Sequence, residues 1–204
     1  MKILENRGGV DRRILDEAVR ALKDGAVLIY PTDTLYAFGC DALNSRAIER
    51  LCRIKGITPD KQLLSTVCAD LSQAAEYARI DNRAFACLKH HLPGPFTFIL
   101  PASTTLPKAF KKRRSVGVRI PDNEFARALA RELGNPVLTS SVPLDDELGE
   151  RPDAAAIADR YAGETDIAMA VDAGELWVTA STIVDMTESS EPEIVRQGAG
   201  VLDY

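Results

Sequence analysis

Short apolar runs alternate with amphipathic stretches along the chain, which predicts interleaved strands and helices. Residues 11–24 are apolar at helical spacing, and Asp11 is suited to cap this first helix. The apolar run Ala26–Tyr30 that follows predicts a buried strand. The same reasoning predicts helices at Ser45–Ile54, Leu71–Ala78, Asn82–His91, Glu124–Leu133 and Ala154–Tyr161, and strands at Leu63–Val67, Phe96–Leu100, Val116–Ile120, Val137–Ser140, Ile167–Val171, Thr182–Asp185 and Glu193–Arg196.

The order of these elements predicts an α/β fold. Two consecutive helices precede the strand at Phe96, and the C-terminal part is rich in strands, so we expect a mixed rather than a purely parallel sheet. A chain of 204 residues is long enough for one sizeable core and too short for two ordinary ones. We therefore expect residues 1–204 to form a single domain.

The composition is that of a globular protein, with 46% hydrophobic and 27% charged residues. No apolar run approaches the roughly 18 residues that a membrane span needs. The first residues are too few and too charged for a signal peptide. We expect a cytoplasmic location and no membrane association.

The cysteines and histidines give weak signals. The four cysteines lack C-x-x-C spacing, which argues against a zinc site and against a disulfide scaffold. Cys40 is either a packed thiol or a nucleophile. His90 and His91 are adjacent on a predicted helix, where neighbours point about 100° apart, so we expect at most one of them to face a site.

The stretch Tyr30–Ala42 is the strongest signal for a binding site. It places hydroxyls, a carboxylate and an aromatic ring directly after a predicted strand, where α/β proteins commonly bind ligands. A turn in which Thr32 and Asp33 bond to nearby backbone is the alternative interpretation.

A local basic patch is also present, although the net charge of −5 argues against binding nucleic acid through bulk charge. A dense cationic run lies between two predicted strands, and it could follow the phosphates of RNA or form a solvated loop. The run comprises Lys108, Lys111, Lys112, Arg113 and Arg114.

Strand alternation places Ser115, Gly117 and Arg119 on one face of a strand. The planar fork of an arginine suits a carboxylate or phosphate, and a surface salt bridge is the alternative. Further hydroxyls and a cation stand at the ends of other predicted strands, at Ser141, Ser181 and Arg196.

Six motifs follow one another over nearly the whole chain. They are Pro31-Thr32-Asp33-Thr34-Leu35-Tyr36, Lys55-Gly56, Pro93-Gly94-Pro95-Phe96-Thr97-Phe98, Val118-Arg119-Ile120-Pro121, Ser181-Thr182-Ile183-Val184-Asp185 and Val195-Arg196-Gln197-Gly198. In this order they resemble the YrdC/YciO family. The resemblance implies a twisted YrdC-like α/β domain with a concave, basic groove for nucleotide or RNA.

The resemblance also implies an activity. The active branch of the family makes L-threonylcarbamoyl-adenylate from L-threonine, bicarbonate and ATP with Mg²⁺, and releases pyrophosphate. Partner proteins then use this intermediate to modify an adenosine of tRNA. By position, residues that match those holding the amino acid are Thr32, Arg119, Ser141 and Ser181. Residues that match those contacting ATP are Lys55, Ser115 and Arg196.

The chain departs from the active branch at two positions. That branch carries Lys-x-Arg where this chain has Lys55-Gly56-Ile57, and Ser-x-Asn where it has Ser141-Val142-Pro143. Hydrogen bonds to charged groups contribute roughly 1.5–3 kcal/mol each, so the two losses predict about 3–5 kcal/mol weaker binding of the nucleotide. Lys61 could replace one of the missing cations. These departures are more similar to the YciO branch.

Three hypotheses follow. The first is a threonylcarbamoyl-adenylate synthase or a weakened version of it. The second is a non-catalytic or differently catalytic paralogue that binds nucleotide, tRNA or double-stranded RNA. The third is a related reaction, such as hydrolysis of the same adenylate.

Overall fold

The computed structural model describes residues 1–58, 64–103, 114–143, 148, 152–176, 179–188 and 191–203. Within these residues a mixed sheet is flanked by helices. The strands are β1 (Lys2–Glu5), β2 (Val27–Tyr30), β3 (Ala37–Asp41), β4 (Ser65–Val67), β5 (Phe96–Pro101), β6 (Ser115–Arg119), β7 (Val137–Ser141), β8 (Ile167–Asp172), β9 (Thr182–Asp185) and β10 (Glu193–Arg196). The helices are α1 (Arg12–Lys23), α2 (Ser45–Lys55), α3 (Leu71–Tyr77), α4 (Asn82–His91), α5 (Glu124–Leu133) and α6 (Ala154–Arg160).

In the described part of the chain, the strand order is β1-β8-β2-β3-β7-β4-β6-β5-β9-β10. Four neighbouring pairs are parallel, namely β1/β8, β2/β8, β4/β6 and β5/β9. The other five pairs are antiparallel. The predicted single α/β domain with a mixed sheet is confirmed.

Each helix of the described residues begins after an aspartate or asparagine, and this side chain accepts a hydrogen bond from a backbone N–H of the first turn. The capping residues are Asp11, Asn44, Asp70, Asp81, Asn123 and Asp153. Because these caps are local, helix starts could be predicted from sequence. The prediction for Asp11 is confirmed.

The two faces of the sheet build separate cores. Ile29 and Phe38 lie opposite each other and pack with α2 and α6. Tyr30 and Ala37 occupy the next register position, and they pack on the other face with α1 and α5. A third cluster places α3 and α4 against β5 and β6.

Strand β3 was not predicted, because its residues were assigned to the polar stretch that follows β2. All five residues of β3 are buried, so the strand shows no alternation of apolar and polar positions. Cys40 is fully buried in it, and burial raises the pKa of its thiol well above the ordinary range. This environment fits a packed thiol and not a nucleophile.

Among the described residues, no helix is long and apolar enough to cross a membrane.

Candidate functional site

A pocket of about 240 Å³ opens beside the central strands. The register aligns Ser65 of β4 with Gly117 of β6 and with Thr139 of β7, so these three residues share one face of the sheet. Arg119 follows Gly117 on the same face by strand alternation. The described residues that line the pocket are Lys55, Leu64, Ser65, Thr97, Arg119, Thr139, Ser140, Ser141, Ser181, Ile183 and Arg196.

Arg119 is the deepest cation of the pocket, with 4% of its surface exposed. Its Nη2 donates to Asp33 Oδ1 at 2.7 Å and to the Thr34 hydroxyl at 3.1 Å. Its buried Nε has no hydrogen-bond partner among the described residues. An unsatisfied buried donor costs free energy, so a carboxylate or phosphate that accepted from this guanidinium would recover that cost.

Two more cations reach the pocket from opposite sides. Lys55 ends α2 and its Nζ donates to the Ser141 carbonyl at 2.7 Å, and burial lowers its pKa. Arg196 ends β10 and donates to the Ser181 carbonyl at 2.7 Å. Burial, and then the positive charge of Arg119, lower the pKa of Arg196. Because burial disfavours their charged forms, both groups would gain from a bound anion.

Hydroxyl groups of fixed orientation line the same pocket. Thr97 and Ser181 share a hydrogen bond of 2.9 Å between their hydroxyls. The phenol of Tyr30 donates to Thr139 Oγ1 at 2.9 Å, and that hydroxyl in turn donates to the Phe38 carbonyl at 3.3 Å. Such groups can accept from an ammonium or donate to an oxyanion.

Gly117 lies beside two of the side chains that line the pocket, Ser65 and Thr97. A Cβ at Gly117 would lie 3.2 Å from the Ser65 hydroxyl and 3.4 Å from the Thr97 methyl carbon. The Ser65 hydroxyl would have to shift by a few tenths of an ångström, whereas the distance to the Thr97 methyl is an ordinary van der Waals contact. A side chain at this position would therefore press on Ser65.

The structure brings together five of the residues that sequence reasoning assigned to a site, namely Lys55, Arg119, Ser141, Ser181 and Arg196. Thr32 and Ser115 lie outside the described lining. The Thr32 hydroxyl donates to the Leu35 carbonyl at 2.7 Å and accepts from the Thr34 N–H at 3.1 Å. These bonds shape the turn between β2 and β3, and a contact of Thr32 with a ligand stays a prediction.

The proposed basic run lies almost entirely outside the described residues. Four residues of the run lie outside the described residues, namely Lys108, Lys111, Lys112 and Arg113. The same is true of Lys61, which is not part of the run. Arg114 is described, is exposed, and precedes β6 without lining the pocket. The concave basic groove and the contacts of Lys61 therefore stay predictions.

Sequence reasoning gave no site role to Asp33, Ser65 and Thr97, and from the hydroxyl run Thr139-Ser140-Ser141 it carried only Ser141 into the site. Asp33 was assigned to a turn, yet it also fixes Arg119, and the two residues are 86 positions apart in the chain. Thr97 stood in the motif Pro93–Phe98, and alternation along that strand was the signal that could have placed it beside Ser181.

The two departures from the active branch offer no polar side chain. The Ile57 side chain is partly buried against the core cluster of α2 and α6. Pro143 is exposed, directly after the buried Val142.

Known proteins are similar to this chain in sequence and in fold. The Sua5/YciO/YrdC family model, described as "Telomere recombination", matches residues 20–198. The uncharacterized protein YciO of Escherichia coli is 36% identical over 191 residues, which are 93% of this chain and 91% of that protein. A threonylcarbamoyl-AMP synthase of Chromobacterium violaceum is 35% identical over 131 residues, which are 63% of this chain and 67% of that enzyme.

Solved structures agree with this assignment. The crystal structure of E. coli YciO matches with a TM-score of 0.85 and 33% identity, over 98% of this chain and 96% of that chain. P. abyssi Sua5 complexed with L-threonine matches with a TM-score of 0.85 and 28% identity, over 97% of this chain and 58% of that longer chain. The chain therefore belongs to the Sua5/YciO/YrdC family.

Proposed function

We propose that this protein forms L-threonylcarbamoyl-adenylate from L-threonine, bicarbonate and ATP, and releases pyrophosphate. The observation that carries the proposal is the meeting of Lys55, Arg119 and Arg196 in one hydroxyl-lined pocket. Synthases of this reaction among the relatives, and a neighbour complexed with L-threonine, support it.

Arg119 would hold the carboxylate of L-threonine. Asp33 and Thr34 fix its guanidinium, and its unpartnered Nε can donate to a ligand oxygen. The hydroxyls of Thr97 and Ser181 would accept from the ammonium or bond the hydroxyl of the substrate. The pocket volume of about 240 Å³ is smaller than the ~300–1,000 Å³ of sites that bind drug-sized ligands. A pocket of this size suits an amino acid with an adjoining phosphate.

Lys55 and Arg196 would face the phosphates of ATP. They approach from α2 and β10, so a triphosphate lying across the strand ends would meet a cation on each side. In the described lining, the side-chain oxygens are all hydroxyls. Mg²⁺ prefers carboxylates, phosphates and water, so it would enter with ATP and be held mainly by the phosphates. Lys61 and Ser115 remain proposed contacts of the nucleotide.

Catalysis would come mainly from positioning. The amine of L-threonine condenses with bicarbonate to a carbamate, with loss of water. A carbamate oxygen then attacks the α-phosphorus, and the bond to pyrophosphate breaks. Neither step needs a nucleophile from the protein, because alignment and neutralised charge lower the barrier. The product would supply downstream proteins that modify tRNA.

The test is threonine-dependent release of pyrophosphate by purified protein with bicarbonate and Mg-ATP. Lys55→Gln and Arg196→Gln should each lower kcat/KM by about 10–150-fold, the equivalent of one charged hydrogen bond. Arg131→Gln is the matched control, since Arg131 is exposed on α5. No threonine-dependent pyrophosphate at high enzyme concentration would overturn the proposal.

One observation favours a second function: neither Ile57 nor Pro143 has a polar side chain that could contact the nucleotide. A paralogue lacking those nucleotide contacts would bind nucleotide or RNA, or would cleave the adenylate, without making it. Binding of tRNA or double-stranded RNA that weakens with salt, and when the run Lys108–Arg114 is neutralised, would support it. RNA binding that is indifferent to both changes would count against it.

A further inference from the structure

A second pocket, of about 290 Å³, lies between α4 and the C-terminal segment. It shares no described lining residue with the first pocket. The residues that line it are Arg83, Ala86, Cys87, His90, His91, Pro192 and Asp203.

Both histidines meet one carboxylate in this pocket. Asp203 Oδ1 lies 3.2 Å from His90 Nε2 and 3.0 Å from His91 Nε2. Both histidines line this pocket, although they are neighbours on the helix, where we expect at most one to face a site. His91 is the last residue of α4, and the C-terminal segment passes the helix end, so both rings can reach Asp203.

The hydrogen bond of His91 to its own helix defines its tautomer. Its Nδ1 lies 2.8 Å from the Cys87 carbonyl, and because a carbonyl only accepts, Nδ1 must carry a proton. In the neutral ring, Nε2 then holds a lone pair, which accepts from the Asp203 N–H at 3.3 Å and also lies 3.0 Å from a carboxylate oxygen that is itself an acceptor. Two acceptors at this separation repel unless a positive centre, a proton or a metal ion, lies between them.

We propose that His90, His91 and Asp203 form a binding site for a divalent transition metal such as Zn²⁺. Zinc ligands at about 2.0–2.1 Å in a tetrahedron lie roughly 3.3 Å from one another. The two distances to Asp203 are close to this value. All three ligand atoms lie within 4.8 Å, and the exposed His90 ring can turn to shorten the remaining separation.

The surroundings of His91 match those of a metal ligand. Ligating histidines donate their other ring N–H to a carbonyl or carboxylate, as His91 does to Cys87. The Cys87 thiol lies 3.8 Å from Nδ1, which is not the nitrogen that faces Asp203, so water is the expected fourth ligand. Arg83 also lines the pocket, and its positive charge should make the site weaker than a buried structural zinc site.

The metal would anchor the segment that carries Arg196. Between Arg196 and Asp203, the Gly198 N–H bonds the Thr182 hydroxyl at 2.9 Å. Gly200 lies against the Phe96 ring, where a Cβ would approach within 2.5 Å. Metal binding at Asp203 would therefore hold this segment, and with it one wall of the first pocket, against the sheet.

The test is titration of the full chain with Zn²⁺ alone and Co²⁺ alone, after treatment with EDTA and desalting. We expect one equivalent to bind, with a tetrahedral d–d spectrum for Co²⁺ and a higher Tm with Zn²⁺. His90→Gln and Asp203→Asn should weaken binding more than about tenfold, and both residues are exposed enough for the variants to fold.

Two control variants test whether side chains other than the three proposed ligands contribute to metal binding. Asp159→Asn, at an exposed position of α6, and Cys87→Ser should bind as the wild type does. Absence of saturable binding, equal affinity in Asp203→Asn, or loss of binding in Cys87→Ser would each overturn the proposal. None of these measurements depends on pyrophosphate release.

Discussion

Arg119 and Asp33 form an ion pair of 2.7 Å whose two side chains are 5% and 7% exposed. The pair joins the end of β6 to the turn between β2 and β3. The second oxygen of Asp33 accepts from the Asp122 N–H at 2.9 Å, so the carboxylate is held from two directions. A guanidinium fixed in this way pays little entropy when it binds a ligand, because its rotamer is already set.

Asp33→Asn should destabilise the protein strongly. The substitution preserves shape but leaves the Arg119 charge buried without its counter-ion, which costs about 3–5 kcal/mol in comparable pairs. Urea denaturation at neutral pH measures the loss. Added phosphate should raise the Tm of the variant more than that of the wild type, since an anion in the pocket would replace the missing charge.

The control for this substitution is Asp16→Asn. Asp16 pairs with Arg12 on the surface of α1, where both side chains are about half exposed or more. Exposed ion pairs contribute little to stability, so this variant should be nearly as stable as the wild type. Equal effects of the two substitutions would show that the Arg119 pair is not energetically special.

Gly39→Ala should be one of the most damaging small substitutions in the chain. A Cβ there would lie 2.5 Å from Tyr30 Cε1 and 2.9 Å from Val137 Cγ1. Tyr30 is fully buried and its phenol is bonded to Thr139, so the ring cannot move aside cheaply. Overpacking costs about 1–3 kcal/mol or more. Chemical denaturation measures this loss.

Gly163→Ala is the matched control for Gly39→Ala. Apart from its two chain neighbours, no heavy atom of the described residues lies within 4 Å of the Cβ position at Gly163, and its φ is not in the left-handed region. The free energy of unfolding of the Gly163→Ala variant should differ from that of the wild type by no more than about 0.5 kcal/mol. A large loss at Gly163, or none at Gly39, would contradict the packing around β3.

Most of the fold could be predicted because the signals are local. Amphipathic periodicity and the capping side chains mark each helix of the described residues within a few positions. The two missed strands lack such signals. β1 is a short, largely exposed edge strand, and β3 is buried throughout, so neither alternates in a way that marks a strand.

The site was predictable only in part, for a different reason. Lys55, Arg119 and Arg196 stand in motifs that a family resemblance identifies. The pairing of Arg119 with Asp33, and of Thr97 with Ser181, depends on strand register across 86 and 84 positions of the chain. No local pattern fixes that register, so these partners emerge only from the assembled sheet.

Stability should fall in alkaline solution, and Tyr30 makes one contribution to this loss. Burial raises the pKa of Tyr30 to about 12, whereas a phenol in the unfolded chain titrates near 10. Between these values the unfolded state loses a proton that the folded state keeps, so the free energy of unfolding decreases as pH rises.

Tyr30→Phe removes that dependence. At neutral pH the variant should be less stable by about 0.5–1.5 kcal/mol, since it loses the hydrogen bond to Thr139. Towards pH ~11 the difference should shrink, because the variant lacks the destabilising contribution of the Tyr30 phenol. Urea denaturation at both pH values checks this, and a difference that grows with pH would contradict it.

Ile57→Arg combined with Pro143→Asn should increase synthase activity if the proposed function holds. These substitutions restore the side chains of the active branch, and each charged hydrogen bond regained is equivalent to about 10–150-fold in rate. The Ile57 N–H already bonds the Cys52 carbonyl at 2.9 Å, so the backbone that follows Gly56 can stay unchanged. Ile57→Met with native Pro143 is the control, because it keeps the apolar packing without adding a charge. The measurement is kcat/KM for ATP in threonine-dependent pyrophosphate release. A folded double variant no faster than the control would show that these two contacts are not what separates this chain from the synthases.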